Sequence, residues 1–355
     1  EINIQTVCIG QSYSSMGQFD KAMDFYEKGL NYFEKSKDYE NLATILNNIG
    51  EVYRLWGKYN EALAYYDKSL KICEENGYNE NMSALYNNYG QVYRTLAEYE
   101  KAINYYNKAL EINTSIGNKQ NISINFSNIG ETYRLTADFE KALEYYIKAY
   151  NIDKDLGLTD KVAIRLNNIG LIYSETGEHE TSLKYFEEAL KTSSANTPKY
   201  NIADYYHNIG VANYMLKKYD SAIENFNKSI SLKEELRLTA KGEIRIDYLN
   251  SQIFTYQLLI STYVLNNNPE KALETAELSR AKYLSEKIGE KLDNKIDEKF
   301  NYKAIKEKLD EKSIIISFSN LSSNIYNPVR IVLTKSEIIS AEIEKALFKL
   351  DKNFN

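Results

Sequence analysis

The feature that most constrains this chain is a tetrad that returns every 40 residues. Asn47-Asn48-Ile49-Gly50 recurs as Asn87-Asn88-Tyr89-Gly90, Ser127-Asn128-Ile129-Gly130, Asn167-Asn168-Ile169-Gly170 and His207-Asn208-Ile209-Gly210, and backwards it reaches Cys8-Ile9-Gly10. A small-residue column runs in phase with it: Ala22, Ala62, Ala102, Ala142, Ser182 and Ala222. So does an aromatic column of Tyr13, Tyr53, Tyr93, Tyr133 and Tyr173. Self-similarity at a fixed period of this length is the mark of stacked supersecondary units, each too small to bury its own apolar face.

Each unit reads as two amphipathic helices. The first is expected over about Asn41 to Trp56, with Leu42, Ile45, Leu46, Ile49, Val52 and Tyr53 at helical spacing. Gly57 ends it, and Lys58-Tyr59-Asn60 is expected as a tight link. The second is expected over Glu61 to Glu75, with Ala62, Tyr65, Tyr66, Leu70 and Cys73 inward and Gly77 closing the unit, as Gly117 and Gly157 do later. Gly50, Gly90, Gly130, Gly170 and Gly210 fall where two helices cross, facing Ala62, Ala102, Ala142 and Ala222. A larger side chain there would hold the axes apart beyond the usual ~8–10 Å.

Composition agrees with an all-α chain. With 3 Pro and 15 Gly in 355 residues, the turn material of a β-sandwich is missing. Apolar residues at 43% and 32 Tyr exclude disorder. A net charge of −6 disfavours a wide basic face and hence nucleic acid as a partner. No apolar run is long enough to span a membrane. Cys8 and Cys73 form neither a disulfide framework nor a metal-ligand pattern, so no metal, cofactor or catalytic residue is assigned, and a reducing cytoplasm is the expected compartment. Because the chain begins at Glu1 rather than Met, it is expected to be a fragment or a processed form.

The pattern Leu46-x-x-Ile49-Gly50-x-x-Tyr53, then Gly57, Tyr59, Ala62 and Tyr66, resembles the tetratricopeptide repeat. The 40-residue period, against the commoner 34, looks like the long-helix subclass of kinesin light chains and bacterial regulators. The resemblance covers about residues 1–290 and implies a right-handed α-solenoid that binds proteins or peptides. Residues 1–240 hold six regular units. The columns then resume ten residues late, at Tyr263 and Ala272, so 241–290 reads as a modified seventh repeat or cap whose first helix is lengthened to about Glu243–Leu265.

The tail differs. Residues 291–312 read as a helical linker, with a charged helix over Tyr302 to Leu309, and 313–355 as the start of a small α/β domain. Strands are expected at Ser313 to Phe318 and Val329 to Thr334, forming an antiparallel hairpin, followed by a helix over Ala341 to Leu350. Two strands and a helix cannot bury a core alone. The stretch Ser279-Arg280-Ala281-Lys282-Tyr283-Leu284, then Ile305 to Leu309 and the two strands, resembles the opening of a CHAT domain, a caspase-like cysteine protease often placed behind tetratricopeptide arrays. That resemblance implies a catalytic His and Cys further along such a domain. No residue here matches them, since no His follows His207 and no Cys follows Cys73. It also implies that the array's partner could be its own C-terminal protease domain.

In a helix-pair solenoid the first helices line the concave face. Steps of four and three residues place Asn47, Glu51 and Arg54 there. The matching triplets are Asn87, Gln91, Arg94; Ser127, Glu131, Arg134; Asn167, Leu171, Ser174; and His207, Val211, Tyr214. The face thus begins polar, with an arginine ladder, and becomes more apolar. Guanidinium forks suit the carboxylates of an acidic or extended peptide. In the alternative each arginine pairs with the glutamate three residues before it, a contact worth ~0.2–0.5 kcal/mol. Two roles follow: the regulatory arm of a CHAT-type protease, or a peptide-binding module of a bacterial sensor kinase or transcription regulator with no protease.

Overall fold

The structure, a computed structural model, describes residues 2–239, 243–289, 315–318, 329–333 and 338–342. Helices follow one another in pairs: α1 (Ile2–Ser15) and α2 (Phe19–Ser36), α3 (Tyr39–Leu55) and α4 (Tyr59–Asn76), α5 (Asn79–Thr95) and α6 (Tyr99–Ser115), α7 (Lys119–Leu135) and α8 (Phe139–Asp155), and α9 (Thr159–Glu175) and α10 (His179–Thr192). These make up one compact unit. A second unit carries α11 (Lys199–Met215), α12 (Tyr219–Thr239), most of α13 (Glu243–Leu265), α14 (Pro269–Gly289) and three short strands.

The link within a pair is shorter than the sequence suggests. Tyr59 and Asn60, expected in the link, already belong to α4, and Asn41, expected to begin α3, is its third residue. The turn is only Trp56-Gly57-Lys58. Gly57 sits at φ +75°, its N–H donates to Arg54 O at 3.0 Å, and Lys58 N–H donates to Tyr53 O at 2.8 Å. That left-handed cap satisfies the last carbonyls of α3 and lets Ala62 N–H open the next ladder on Lys58 O. The same left-handed position is filled by Gly17, Ala97, Ala137, Gly177, Lys217 and Asn267 in the other pairs. At the other end Asp38 caps α3 by accepting from Asn41 N–H at 3.2 Å.

Within each pair the core is built on the glycine column. A Cβ at Gly50 would stand 2.5 Å from the Tyr66 ring and 3.1 Å from Ala62 O. The rings seated against Gly10, Gly50, Gly90, Gly130, Gly170 and Gly210 are Tyr26, Tyr66, Tyr106, Tyr146, Phe186 and Phe226, all buried. A second aromatic layer ties the helices at their rim. Tyr53 stacks on Tyr65, Tyr93 on Tyr105, Tyr133 on Tyr145 and Tyr173 on Tyr185, with ring centroids 5.3–5.6 Å apart. Lys58, Lys101 and Lys141 lie over Tyr53, Tyr93 and Tyr133.

Between pairs, the second helix of one meets the first helix of the next through a buried position whose chemistry changes at each junction. Phe33 and Ile45 share one apolar cluster, and Cys73 and Leu85 share another. At the next junction Asn113 Nδ2 donates to Asn125 Oδ1 at 2.7 Å. After that, Arg165 Nε donates to Asp153 Oδ2 at 2.9 Å, with Asp153 fully buried.

The three strands form one antiparallel sheet in the order β1 (Ile315–Phe318), β2 (Val329–Leu333), β3 (Ile338–Glu342). The expected hairpin is β1 and β2, with Ile316 opposite Val332. The helix expected to start at Ala341 does not: Ala341 and Glu342 pair with Arg330 and Val329 in the ladder of β3. The β-branched Ile338-Ile339 extends a strand whose edge is already offered by β2. The charged helix at 302–309, the linker it belongs to and residues 343–350 lie outside the described residues.

Candidate functional site

Arg54, Arg94 and Arg134 are the penultimate residues of α3, α5 and α7, each half-buried. Their environments differ. Arg54 donates from Nε to Glu51 at 2.8 Å, within its own helix. Arg134 grips Glu131 through two bonds of 2.9 and 2.8 Å and also reaches Glu175 on α9. Arg94 has Gln91 where the others have glutamate, and its ion pair is a long one, 3.9 Å, to Glu131 of the next repeat. Hydrogen bonding to Glu51 raises the Arg54 pKa, and hydrogen bonding to Glu131 raises that of Arg134. Burial pushes Glu131 up, but the bonds and charge of Arg134 outweigh it, and the carboxyl ends below its ordinary range.

The carboxylates have a second partner that sequence reasoning missed. Tyr66 donates its hydroxyl to Glu51 at 3.1 Å, and Tyr146 donates to Glu131 at 2.7 Å. Burial, then the neighbouring carboxylate, raises both phenols. Where the glutamate column turns apolar, at Leu171 and Val211, the ring column turns from Tyr to Phe, at Phe186 and Phe226. That switch in step is the sequence signal that could have found the contact.

The asparagines of the face are committed to neighbouring helices. Asn47 Oδ1 accepts from Asn88 at 2.9 Å; Asn87 Oδ1 accepts from Asn125 at 2.8 Å and Asn128 at 3.3 Å. Ser127 Oγ accepts from Arg165 at 2.7 Å. Asn167 is buried, while Leu171 and Ser174 are half-buried. In the second unit, His207 and Tyr214 lie on α11 with Val211. The His207 ring Nδ1 is 2.9 Å from Thr255 Oγ1, with the ring between Phe226 and Phe254. Burial, and then the charge of Lys233, lowers its pKa to about 3. The first unit thus brings Asn47, Glu51, Arg54, Asn87, Gln91, Arg94, Glu131 and Arg134 onto successive first helices, half-buried and rich in guanidinium groups. Among the described residues no cluster of His, Cys, Asp and Glu has metal-binding geometry, and no helix is long and apolar enough to cross a membrane.

Several solved structures share the fold. Aspartyl phosphate phosphatase F from Bacillus subtilis is similar with a TM-score of 0.60 at 16% identity, over 78% of this chain and 68% of that one. The apo form of the quorum sensor NprR from B. thuringiensis gives 0.52 at 19%, over 79% and 87%. NprR in complex with its cognate peptide NprX gives 0.53 at 20%, over 84% of each. No curated protein matches the chain. The family model described as tetratricopeptide repeat matches residues 2–75, 81–155 and 162–235, more than half of the sequence. By that match, and by helix pairs closed on a glycine–aromatic column, the chain belongs to the tetratricopeptide repeat family.

Proposed function

We propose that the chain is a protein-interaction scaffold that binds an extended peptide or protein segment along the first helices of its repeats. The observation that carries this reading is the arginine series Arg54, Arg94 and Arg134, set at one position of successive first helices and half-buried. Half-buried guanidinium groups beside amides offer directed donors to carboxylates and backbone carbonyls. NprR, which shares the fold, is known with a bound cognate peptide. The test is selection of a phage-displayed random peptide library on the chain. Selected peptides should lose binding when Arg54, Arg94 and Arg134 are all changed to Ala; undiminished binding retires the arginine face.

The whole protein is proposed to be a CHAT-type cysteine protease, of the 40-residue repeat subclass and cytoplasmic, with this array as its regulatory arm. Support comes from the Ser279 to Leu284 stretch followed by the antiparallel strands. A second reading, favoured by likeness to the quorum sensor NprR, makes the array the peptide-sensing module of a bacterial signalling protein without a protease. Iodoacetamide-sensitive peptidase activity in the natural full-length gene product separates the two. Its absence, with and without a selected peptide, leaves the signalling module.

A further inference from the structure

At one repeat the acceptor of the ring hydroxyl is missing while both of its donors remain. Glu51 takes hydrogen bonds from Arg54 and Tyr66, and Glu131 from Arg134 and Tyr146. Between them, position 91 is glutamine, yet Arg94 and Tyr106 are kept. Tyr106 is fully buried and its hydroxyl has no hydrogen-bond partner. Arg94 has its long contact to Glu131, which Arg134 already holds with two shorter bonds. Gln91 turns its amide toward Asn88 at 3.5 Å, a weak tether. The first repeat also carries a glutamine, Gln11, with Tyr26, but Ser14 stands in the arginine position. Of the three ladder arginines, Arg94 alone lacks a glutamate three residues before it.

A buried hydroxyl left without an acceptor is costly; in the two flanking repeats a glutamate accepts from the ring hydroxyl, and Phe186 and Phe226 of the later repeats carry none. We propose that the carboxylate of a bound ligand, an acidic side chain or a C-terminus of an extended peptide, completes this site. It accepts from the Arg94 guanidinium and the Tyr106 hydroxyl, in the place that Glu51 and Glu131 fill in the flanking repeats. Gln91 swings aside on its weak tether to admit it. Tyr106 also senses the cationic setting: burial pushes its pKa up to about 12, while Arg94 and then Arg54 pull it down. This site rests on the peptide-binding reading and narrows it to one anchor.

The test uses the whole chain and a printed array of random decapeptides. Each peptide is printed beside a twin in which Asp, Glu and the C-terminal carboxylate are replaced by amides. The wild-type chain should prefer the acidic member by about tenfold, the loss of one charge-assisted anchor. Gln91→Glu supplies the carboxylate from within, so it should fold with an equal or higher thermal midpoint and erase the preference. Arg94→Ala should erase it too. Twins bound equally, or a preference that survives Gln91→Glu, overturn the carboxylate site and leave peptide binding standing. An array on which nothing binds overturns both.

Discussion

The Nδ1 of His207 lies 2.9 Å from Thr255 Oγ1, and burial beside Lys233 holds the imidazole neutral down to about pH 3. In the unfolded chain the same group takes a proton near pH 6.5. The unfolded state therefore binds more protons below that pH, and the second unit should lose stability as pH falls from 6.5, by at most about 1.4 kcal/mol per unit. Urea midpoints between pH 7.5 and 5 check this. His207→Gln, which keeps a hydrogen-bonding group opposite Thr255, should flatten the slope in that window.

The Asp153–Arg165 pair should prove replaceable as a pair and indispensable by halves. Asp153→Ala strands a buried guanidinium and should cost about 3–5 kcal/mol. Asp153 Oδ1 has no partner even in the intact pair. The double change Asp153→Cys and Arg165→Leu copies the Cys73–Leu85 junction and should restore the urea midpoint or exceed it.

Ala97 and Ala137 hold φ of 58° at the turn where Gly57 and Gly177 stand. A left-handed residue with a Cβ costs roughly 1–2 kcal/mol, partly offset by the extra freedom of glycine in the unfolded chain. Ala97→Gly and Ala137→Gly should each stabilise the fold by a net ~0.5–1 kcal/mol, read as a higher thermal midpoint. Gly57→Ala should lower it.

Cys8 is exposed and Cys73 buried, with burial pushing the Cys73 thiol up to about 11. A thiol reagent at pH 7.5 should titrate one cysteine quickly in the native chain. The second should react only as fast as α4 opens, so its rate measures local unfolding of that junction.

The helix pairs were legible because the tetrad ending in Asn-x-Gly, the alanine column and the aromatic column largely keep their residue type from unit to unit. A Cβ-free position at Gly50 is needed wherever a ring crosses it, so the letter repeats. The turn is two residues off in the sequence because Tyr59 and Asn60 look like linker letters, while the bond from Ala62 N–H to Lys58 O already makes them helix. The junction position was invisible for the opposite reason. Phe33, Cys73, Asn113 and Asp153 share a place and no chemistry, and each makes sense only beside Ile45, Leu85, Asn125 or Arg165. The Arg–Glu–Tyr contacts lay between: Arg54 and Glu51 are one helical turn apart and readable, whereas Tyr66 reaches Glu51 across fifteen residues.

The changing junction also bears on how such a gene can vary. Tandem segments of one fixed length can be deleted or duplicated in frame as whole units. Loss of residues 80–119 would join α4 to α7 and press the Cys73 thiol against Asn125, whose amide would lose Asn113 while Asn47 took the place of Asn87. Duplication of the same residues would set Asn113 against a second copy of Leu85 at one seam. Mismatched seams of this kind act as a proofreading rule on copy number, written in side chains rather than in nucleotides.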